Sequence, residues 1–370
     1  MKKVVIITNI PSPYRVDFFY YLQTHYEEYQ FHILYSSRNE DNRKWDIDGK
    51  KMLNSHFLPS FTIKIKKRYD NKYIHIPRDV KKMLQKLKPD VVVGSEYNPT
   101  VIQAVRYCKK NRIPYVSWTD GTLYSERNIN KLQRYLRKYV VSCADAYIAS
   151  SSKSKEAQIH YGAREDKIFV SYLTIDIEKY VQEPRGTGKG QILYVGSLIE
   201  RKGVDLLFKA LACVSGSYTL IIAGDGPEKG RLQKQAEQLG IAERVQFAGY
   251  LDRERLLHYY AESDLFVLPT REDCFALVIL EAMCSGLPVI CSKYADGVYD
   301  LIEDGKNGLV VDPAQTGEFG EKIELLLRDK TLQKGMREAS KKVVHKFSFE
   351  KVADEFVKAV QKAKGEEIEK

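Results

Sequence analysis

Short runs of Val, Ile, Leu and aromatic residues recur along the chain, each followed by a stretch of helical period. They fall at 4–8, 31–36, 91–95, 115–119, 146–150 and 167–171, then at 192–196, 219–223, 245–247, 265–268, 288–291 and 308–311. The runs are continuously apolar rather than alternating, which predicts strands buried on both faces, as in parallel sheets. Strands alternating with helices make βαβ units, so each half predicts a doubly wound α/β sheet. Residues 182–190 are rich in Gly and Pro and predict a linker. That divides the chain into a first domain over 1–181, a second over 191–347 and a tail over 348–370. The tail carries an amphipathic helix at 349–364, with Val352, Phe356, Val357 and Val360 on one side, able to pack on either domain. Doubly wound sheets bind ligands beyond the carboxyl ends of their strands. Chemistry is therefore expected at those ends, in a cleft between the two domains.

Composition narrows this picture without changing it. The 370 residues are 44% hydrophobic and 29% charged, ordinary for a globular chain. No run approaches the ~18 consecutive apolar residues of a membrane span. Lys2 and Lys3 precede an apolar run too short for a signal peptide, so a buried first strand is expected. Cys108, Cys143, Cys213, Cys274, Cys284 and Cys291 form no C-x-x-C pair and read as reduced thiols of a cytoplasmic protein, not metal ligands. Charge is uneven: 33 Lys and Arg face 20 Asp and Glu up to Gly186, and 26 face 29 after it. The basic excess is densest at 64–68, 81–88 and 131–138. It reads equally as solvated faces or as attraction to an anionic partner, such as a membrane surface or a lipid diphosphate. The segment 78–88 places Val80, Met83, Leu84 and Leu87 on one helical face, which suits a membrane-surface helix or a helix packed on a sheet. No nucleic-acid-binding motif is present.

Several chemistries lack their motifs. The first β-α turn, Thr8-Asn-Ile-Pro-Ser-Pro-Tyr-Arg15, has no glycine where a dinucleotide fold needs G-x-G-x-x-G. There is no P-loop, and no His/Glu cluster with zinc spacing. Asp46-Ile-Asp48 reads as a loop rather than a divalent-metal site. No cofactor and no metal are expected.

The second half is more specific. Gly196, Ser197, Arg201 and Lys202 follow a strand, and the basic pair is expected to open a helix whose N-terminus suits phosphate. Gly226 lies in the tight turn Ala223-Gly-Asp-Gly-Pro227. Gly249 and Tyr250 end a strand where a planar base could stack. Asp273 and Glu281 are separated by seven residues, with a helix expected to start near Phe275. One acid then precedes the helix N-terminus and the other lies about two turns along. The N–H groups between them could hold a diphosphate while the acids accept from hydroxyls.

These motifs resemble the retaining nucleotide-sugar glycosyltransferases of family four, which have GT-B architecture: two Rossmann-like domains facing across a cleft. The resemblance rests on Asp273…Glu281-Ala-Met…Gly286-Leu-Pro-Val, Val195-Gly…Arg-Lys-Gly203, Ala223-Gly-Asp-Gly-Pro227, Ser263-Asp-Leu-Phe-Val-Leu-Pro269 and Leu301-Ile-Glu-Asp-Gly-Lys-Asn-Gly308. The opening Asn9-Ile-Pro-Ser-Pro-Tyr-Arg also looks like members that build bacterial capsules and exopolysaccharides. The resemblance implies a hexosyl transfer, without a metal, from a nucleoside diphosphate sugar, UDP- rather than GDP-, to a sugar or lipid-linked acceptor. The reduced cysteines and the basic first domain are consistent with a cytoplasmic enzyme at the inner face of the membrane, where a lipid-linked acceptor would lie. Lys202, with Arg201, would neutralise the leaving diphosphate. The backbone of Phe275, Ala276, Leu277 and Val278 would bind phosphate. Glu281 would hold the ribose, Asp273 the sugar, and Gly249 and Tyr250 would border the base. Gly196, Ser197 and Gly226 would line the donor, with Pro13, Tyr14 and Arg15 approaching from the first domain. Asp120, a further catalytic candidate with Asp273 and Lys202, stands where many members carry a His near the donor sugar. The chain departs from the family at Asp273, usually Glu, at Ala276, often Gly, and at Ser197, often Arg. The alternatives are a sugar-nucleotide epimerase of similar fold and a non-catalytic binding protein.

Overall fold

The structure is a computed structural model that describes all residues except 41–44, 46, 67–70, 183, 184, 187 and 367–370. Asp46, the end of the basic run 64–68 and part of the linker 182–190 therefore lie outside the described residues. The chain forms two compact units, Met1–Asp176 with Ser348–Lys370, and Ile177–Phe347.

The first unit is built on a seven-stranded parallel sheet. Its strands are β1 (Lys2–Thr8), β2 (Tyr29–Tyr35), β3 (Ser55–Phe57), β6 (Val91–Ser95), β7 (Tyr115–Thr119), β8 (Ala146–Ala149) and β9 (Ile168–Val170). They lie in the order β3-β2-β1-β6-β7-β8-β9. Between β3 and β6 the chain inserts an antiparallel hairpin, β4 (Ser60–Lys66) and β5 (Asn71–Pro77), which forms its own two-stranded sheet. The second unit has a six-stranded parallel sheet of β10 (Gln191–Val195), β11 (Thr219–Ala223), β12 (Val245–Gly249), β13 (Leu265–Leu268), β14 (Val289–Ser292) and β15 (Leu309–Val311), ordered β12-β11-β10-β13-β14-β15. The twelve strands expected from apolar runs are all present. Strands β3, β4 and β5 were not anticipated, because they are half-polar and do not stand out as apolar runs.

Helices cover both faces of each sheet. The helix Val80–Leu87 buries Val80 and Leu84 completely in the first unit's core, which removes it as a membrane-surface helix. The C-terminal helix Phe349–Lys364 packs on the first unit. Phe356 and Val360 join the core with β1, β6 and β7, Phe356 meets Trp118 edge-on at 5.4 Å, and the Ser171 hydroxyl donates to Val352 O at 2.8 Å. A helix over 349–364 is thus tied to strands far away in sequence by apolar burial.

In each sheet the strand order reverses at one point, between β1 and β6 and between β10 and β13. Doubly wound sheets place their ligands at such a reversal. In the second unit Gly203 lets the loops after β10 and β13 approach closely. It has φ +71°, and a Cβ there would sit 2.1 Å from the Pro269 carbonyl. Gly203→Ala combines left-handed strain with a backbone clash and is expected to lower stability by about 2–4 kcal/mol, read as a drop in urea midpoint at unchanged m.

Candidate functional site

In the second unit the loops after β10 and β13 are bonded together residue by residue. The basic pair does not open a helix, as expected above. It lies in a single 3-10 turn, Glu200–Lys202, and the helix Val204–Leu211 starts only after Gly203. Glycine in the left-handed region breaks the turn away from the helix that follows. Arg271 pins this turn. It donates to Glu200 O at 2.8 Å and makes a bidentate pair with Asp205 at 2.7 Å on each arm. The Arg271 N–H and the Thr270 hydroxyl both donate to Arg201 O, at 2.8 and 3.1 Å.

This pinning delivers two cations to one acid. The Lys202 ammonium is paired with the Asp273 carboxylate, and Arg201 Nη1 lies 3.7 Å from the same oxygen while donating to Glu272 O at 2.8 Å. All three side chains are largely buried. Burial, the largest influence, pushes the Asp273 carboxyl up, but Lys202 and Arg201 outweigh it and hold it below the usual carboxylate range. The main chain of Asp273 is clamped by Tyr294 O and the Asp296 N–H at 3.0 and 2.9 Å.

The helix expected near Phe275 begins at Leu277. Phe275 is buried, with its ring 6.1 Å from that of Phe347. Ala276 adopts φ +63° as the residue before the helix, which explains physically why glycine suits this position. The first N–H groups of a helix, here from Leu277 and Val278 onward, have no partner within it. Glu281, on that helix, accepts from Tyr260 Oη at 2.9 Å and from Tyr180 Oη at 3.4 Å. Burial raises its pKa, and the two phenols partly offset the rise. Neither tyrosine was singled out from the sequence. Gly196 and Gly226 form the tight turns after β10 and β11, where a Cβ on Gly226 would meet Leu198 O at 2.4 Å. Ser197 O accepts from Tyr194 Oη at 3.2 Å. Gly249 O accepts from the Gly224 N–H at 2.7 Å, and the Tyr250 ring beyond it is exposed.

The first unit gathers a second cluster at the ends of β6, β7 and β8. Pro13 and Tyr14 open the helix Pro13–His25, and Arg15 is buried with its guanidinium 3.7 Å over the Trp118 ring. Arg15 Nη2 bonds both Asp120 oxygens, at 2.7 and 2.8 Å, and the Ser150 hydroxyl donates to Asp120 at 2.5 Å. Two residues expected to act separately are thus one ion pair. Beside them stands Glu96, overlooked in the sequence. It has φ +70° and accepts from the Asp120 N–H at 2.7 Å. Burial, then the neighbouring Asp120 carboxylate, pushes the Glu96 carboxyl up to about 7.

Two family models match this chain. "Glycosyltransferase Family 4" covers residues 23–179 and "Glycosyl transferases group 1" covers 176–343. The chain belongs to the glycosyltransferases. Among its relatives is the lipopolysaccharide core biosynthesis glycosyltransferase LpsE of Rhizobium meliloti, 34% identical over 167 residues. That match takes in 45% of this chain and 48% of LpsE, so it spans about half the relative's length. Among solved structures, Anabaena HepE in complex with UDP superposes with TM-score 0.80 at 19% identity, over 98% of this chain and all of HepE. The lipopolysaccharide outer core galactosyltransferase WaaB does so with TM-score 0.76 at 20% identity, over 97% and 99%. At these identities the likeness is one of fold, and that fold is GT-B. Among the described residues, no group of three or more His, Cys, Asp or Glu is placed to hold a metal ion.

Two outcomes follow for this glycosyltransferase. The folded Glu96 pKa lies above the unfolded value, so the folded state keeps a proton that the unfolded chain releases between pH ~4.5 and ~7. Glu96 therefore costs stability as pH rises through that window, and the cost is complete above it. Glu96→Gln is expected to raise the Tm at pH 8 and to flatten its fall from pH 5. Ala276→Gly relieves left-handed strain and is expected to be neutral or stabilising by up to about 1 kcal/mol in urea unfolding.

Proposed function

We propose that the protein is a retaining glycosyltransferase. It moves a hexosyl group from a UDP-sugar to a hydroxyl of a lipid-linked or oligosaccharide acceptor, in bacterial cell-surface polysaccharide synthesis. The observation that carries this reading is the pair of buried cations, Lys202 and Arg201, around Asp273 at the switch point of the second sheet. The UDP bound to HepE and the lipopolysaccharide role named for LpsE support the donor base and the acceptor class.

Cleavage of the sugar–phosphate bond builds positive charge on the anomeric carbon and negative charge on the leaving diphosphate. Lys202, Arg201 and the N–H groups of Leu277 and Val278 are fixed donors for that negative charge, and they need little reorganisation in the transition state. Lys202 shares its charge with Asp273 until the diphosphate arrives. The carboxylate is then free to accept from sugar hydroxyls. Glu281, oriented by Tyr260 and Tyr180, accepts from the ribose. Configuration is retained by departure and attack on one face, with the leaving phosphate drawing the acceptor proton. Asp120 is proposed to act in the same reaction, its carboxylate fixed by Arg15 and Ser150. Formal charge comes from side chains, so no divalent ion is needed. The protein is proposed to work at the inner face of the cytoplasmic membrane.

A thermal-shift panel of UDP, GDP, ADP, CDP and dTDP tests this. UDP at 100 times its dissociation constant is expected to stabilise by about 2.7 kcal/mol, and the shift should vanish in Lys202→Ala and Glu281→Ala. Lys202→Ala leaves Asp273 without its nearer cation, so its unliganded Tm should also fall. A shift that survives in both variants would refute the donor assignment. Transfer from the UDP-sugar is expected to be unchanged by EDTA, and loss of turnover on chelation would contradict the charge assignment.

A further inference from the structure

Three helices cover one face of the first unit's sheet, Val80–Leu87, Pro99–Asn111 and Lys131–Ser142, with the middle one packed against both others. Their inward sides share one core, in which Leu84, Val105 and Val140, one from each helix, are buried against Val5 and Val92 of the strands. Their outward sides are alike in charge. Each helix exposes three Lys or Arg, and none of the three contains an Asp or Glu. Of the acids that flank them, Asp79, at the N-cap of the first helix, pairs with Lys82 at 3.2 Å, and Glu126 is buried with Arg137 at 2.5 Å. The opposite face of the sheet differs. Its helices Pro13–His25 and Phe349–Lys364 carry Asp17, Glu350, Asp354 and Glu355 among their basic residues. Part of the basic excess read from the sequence is thus gathered on one side of the sheet, in helices that hold no acid.

Packed helices lie about 8–10 Å apart, so the three make a surface about 20 Å wide. A broad cationic surface attracts anions. Two apolar side chains at its edge select among them. On the helix Lys131–Ser142, Leu132 and Tyr135 lie one turn apart and are each 64% exposed. Lys131 and Lys138 stand one turn from Tyr135 on either side, with Arg134 next to it, and all three are exposed. Val140 and Val141 hold the inward side of that helix, so the apolar pair and the cations face outward together. Nucleic acid would use the cations and leave Leu132 in water. An anionic bilayer uses both. Headgroup phosphates meet the Lys and Arg side chains, Leu132 enters the hydrocarbon margin, and the Tyr135 ring sits at headgroup level with its hydroxyl wet. The helix Val80–Leu87, whose apolar stripe is spent on the core, lends charge alone. We propose that this three-helix surface docks the protein on an anionic lipid bilayer, with Leu132 and Tyr135 entering its interface. The proposal rests on the inner-membrane part of the proposed function and supplies a surface for it.

The test is co-sedimentation of the full chain with phosphatidylcholine vesicles and with mixed vesicles of phosphatidylcholine and phosphatidylglycerol. Binding is expected only to the mixed vesicles, and to fall steeply with added salt. Lys109→Glu/Lys110→Glu, on the middle helix, and Leu132→Ser/Tyr135→Ser are each expected to weaken it by about tenfold or more. All four side chains are exposed, so both variants should keep the parent's Tm. Lys209→Glu/Lys234→Glu, at exposed lysines of the second unit, makes the same change in net charge as the first variant and should bind like the parent chain. Equal binding to both vesicle types, normal binding by either face variant, or an equal loss in the Lys209/Lys234 variant would overturn the proposal. So would no vesicle binding at all, and a duplex oligonucleotide retained by the parent chain but not by Lys109→Glu/Lys110→Glu would then assign the face to nucleic acid. Thermal shifts with UDP are read without vesicles, so failure here and failure of the glycosyltransfer reading are told apart.

Discussion

A carboxylate withdrawn from water must be paired, and Asp273 is paired twice, with Lys202 and with Arg201. Much of the local structure of the second unit serves that pairing. The left-handed Gly203 turns the chain so that the 3-10 turn Glu200–Lys202 faces the loop after β13. Arg271, spent on Asp205 and Glu200 O, locks the two loops together. Removing one partner of a pair like this costs more than the pair itself contributes, because the remaining charge stays buried. The same electrostatics underlie the proposed reading, in which an arriving diphosphate would take the place of Asp273 as the partner of Lys202 and Arg201.

The first unit shows the same principle with a different outcome. Arg15 is buried against Trp118 and bonded to both oxygens of Asp120, whose carboxylate also receives Ser150. That ion pair is closed on itself. Glu96 beside it is held by one backbone N–H and the Thr119 hydroxyl at 3.3–3.4 Å, in a strained backbone conformation, with its proton affinity raised. Strained residues with shifted pKa values gather where a protein does chemistry. The strand ends β6 to β8 thus carry a charged ledge, separate in kind from the Asp273 cluster of the second unit.

The sheets were legible because strands buried on both faces write continuous apolar runs. The hairpin was not, although Phe61-Thr-Ile-Lys-Ile-Lys66 alternates cleanly, because a half-exposed strand among charges gives no such run. The helix 80–87 was legible as amphipathic, but periodicity reports an apolar face and not what covers it. At the site, Asp273, Glu281 and Lys202 stood out by spacing and resemblance. Tyr180 and Tyr260 did not, since only folding brings them to Glu281, from 101 and 21 residues away. Glu96 is equally hidden, in a Glu-Tyr-Asn loop with no motif, 24 residues from Asp120. The late start of the helix Leu277–Cys284 reflects an alanine in a glycine conformation, and its one sign in the sequence was that Ala276 stands where the resembled family often carries Gly.

The most direct test of the account is a crystal structure of the protein soaked with UDP. The account predicts the β-phosphate within hydrogen-bond distance of Lys202 Nζ and of the Leu277 and Val278 N–H groups, with the ribose hydroxyls on Glu281. A UDP bound elsewhere, or one at this site with Lys202 still committed to Asp273 and no phosphate contact, would contradict it.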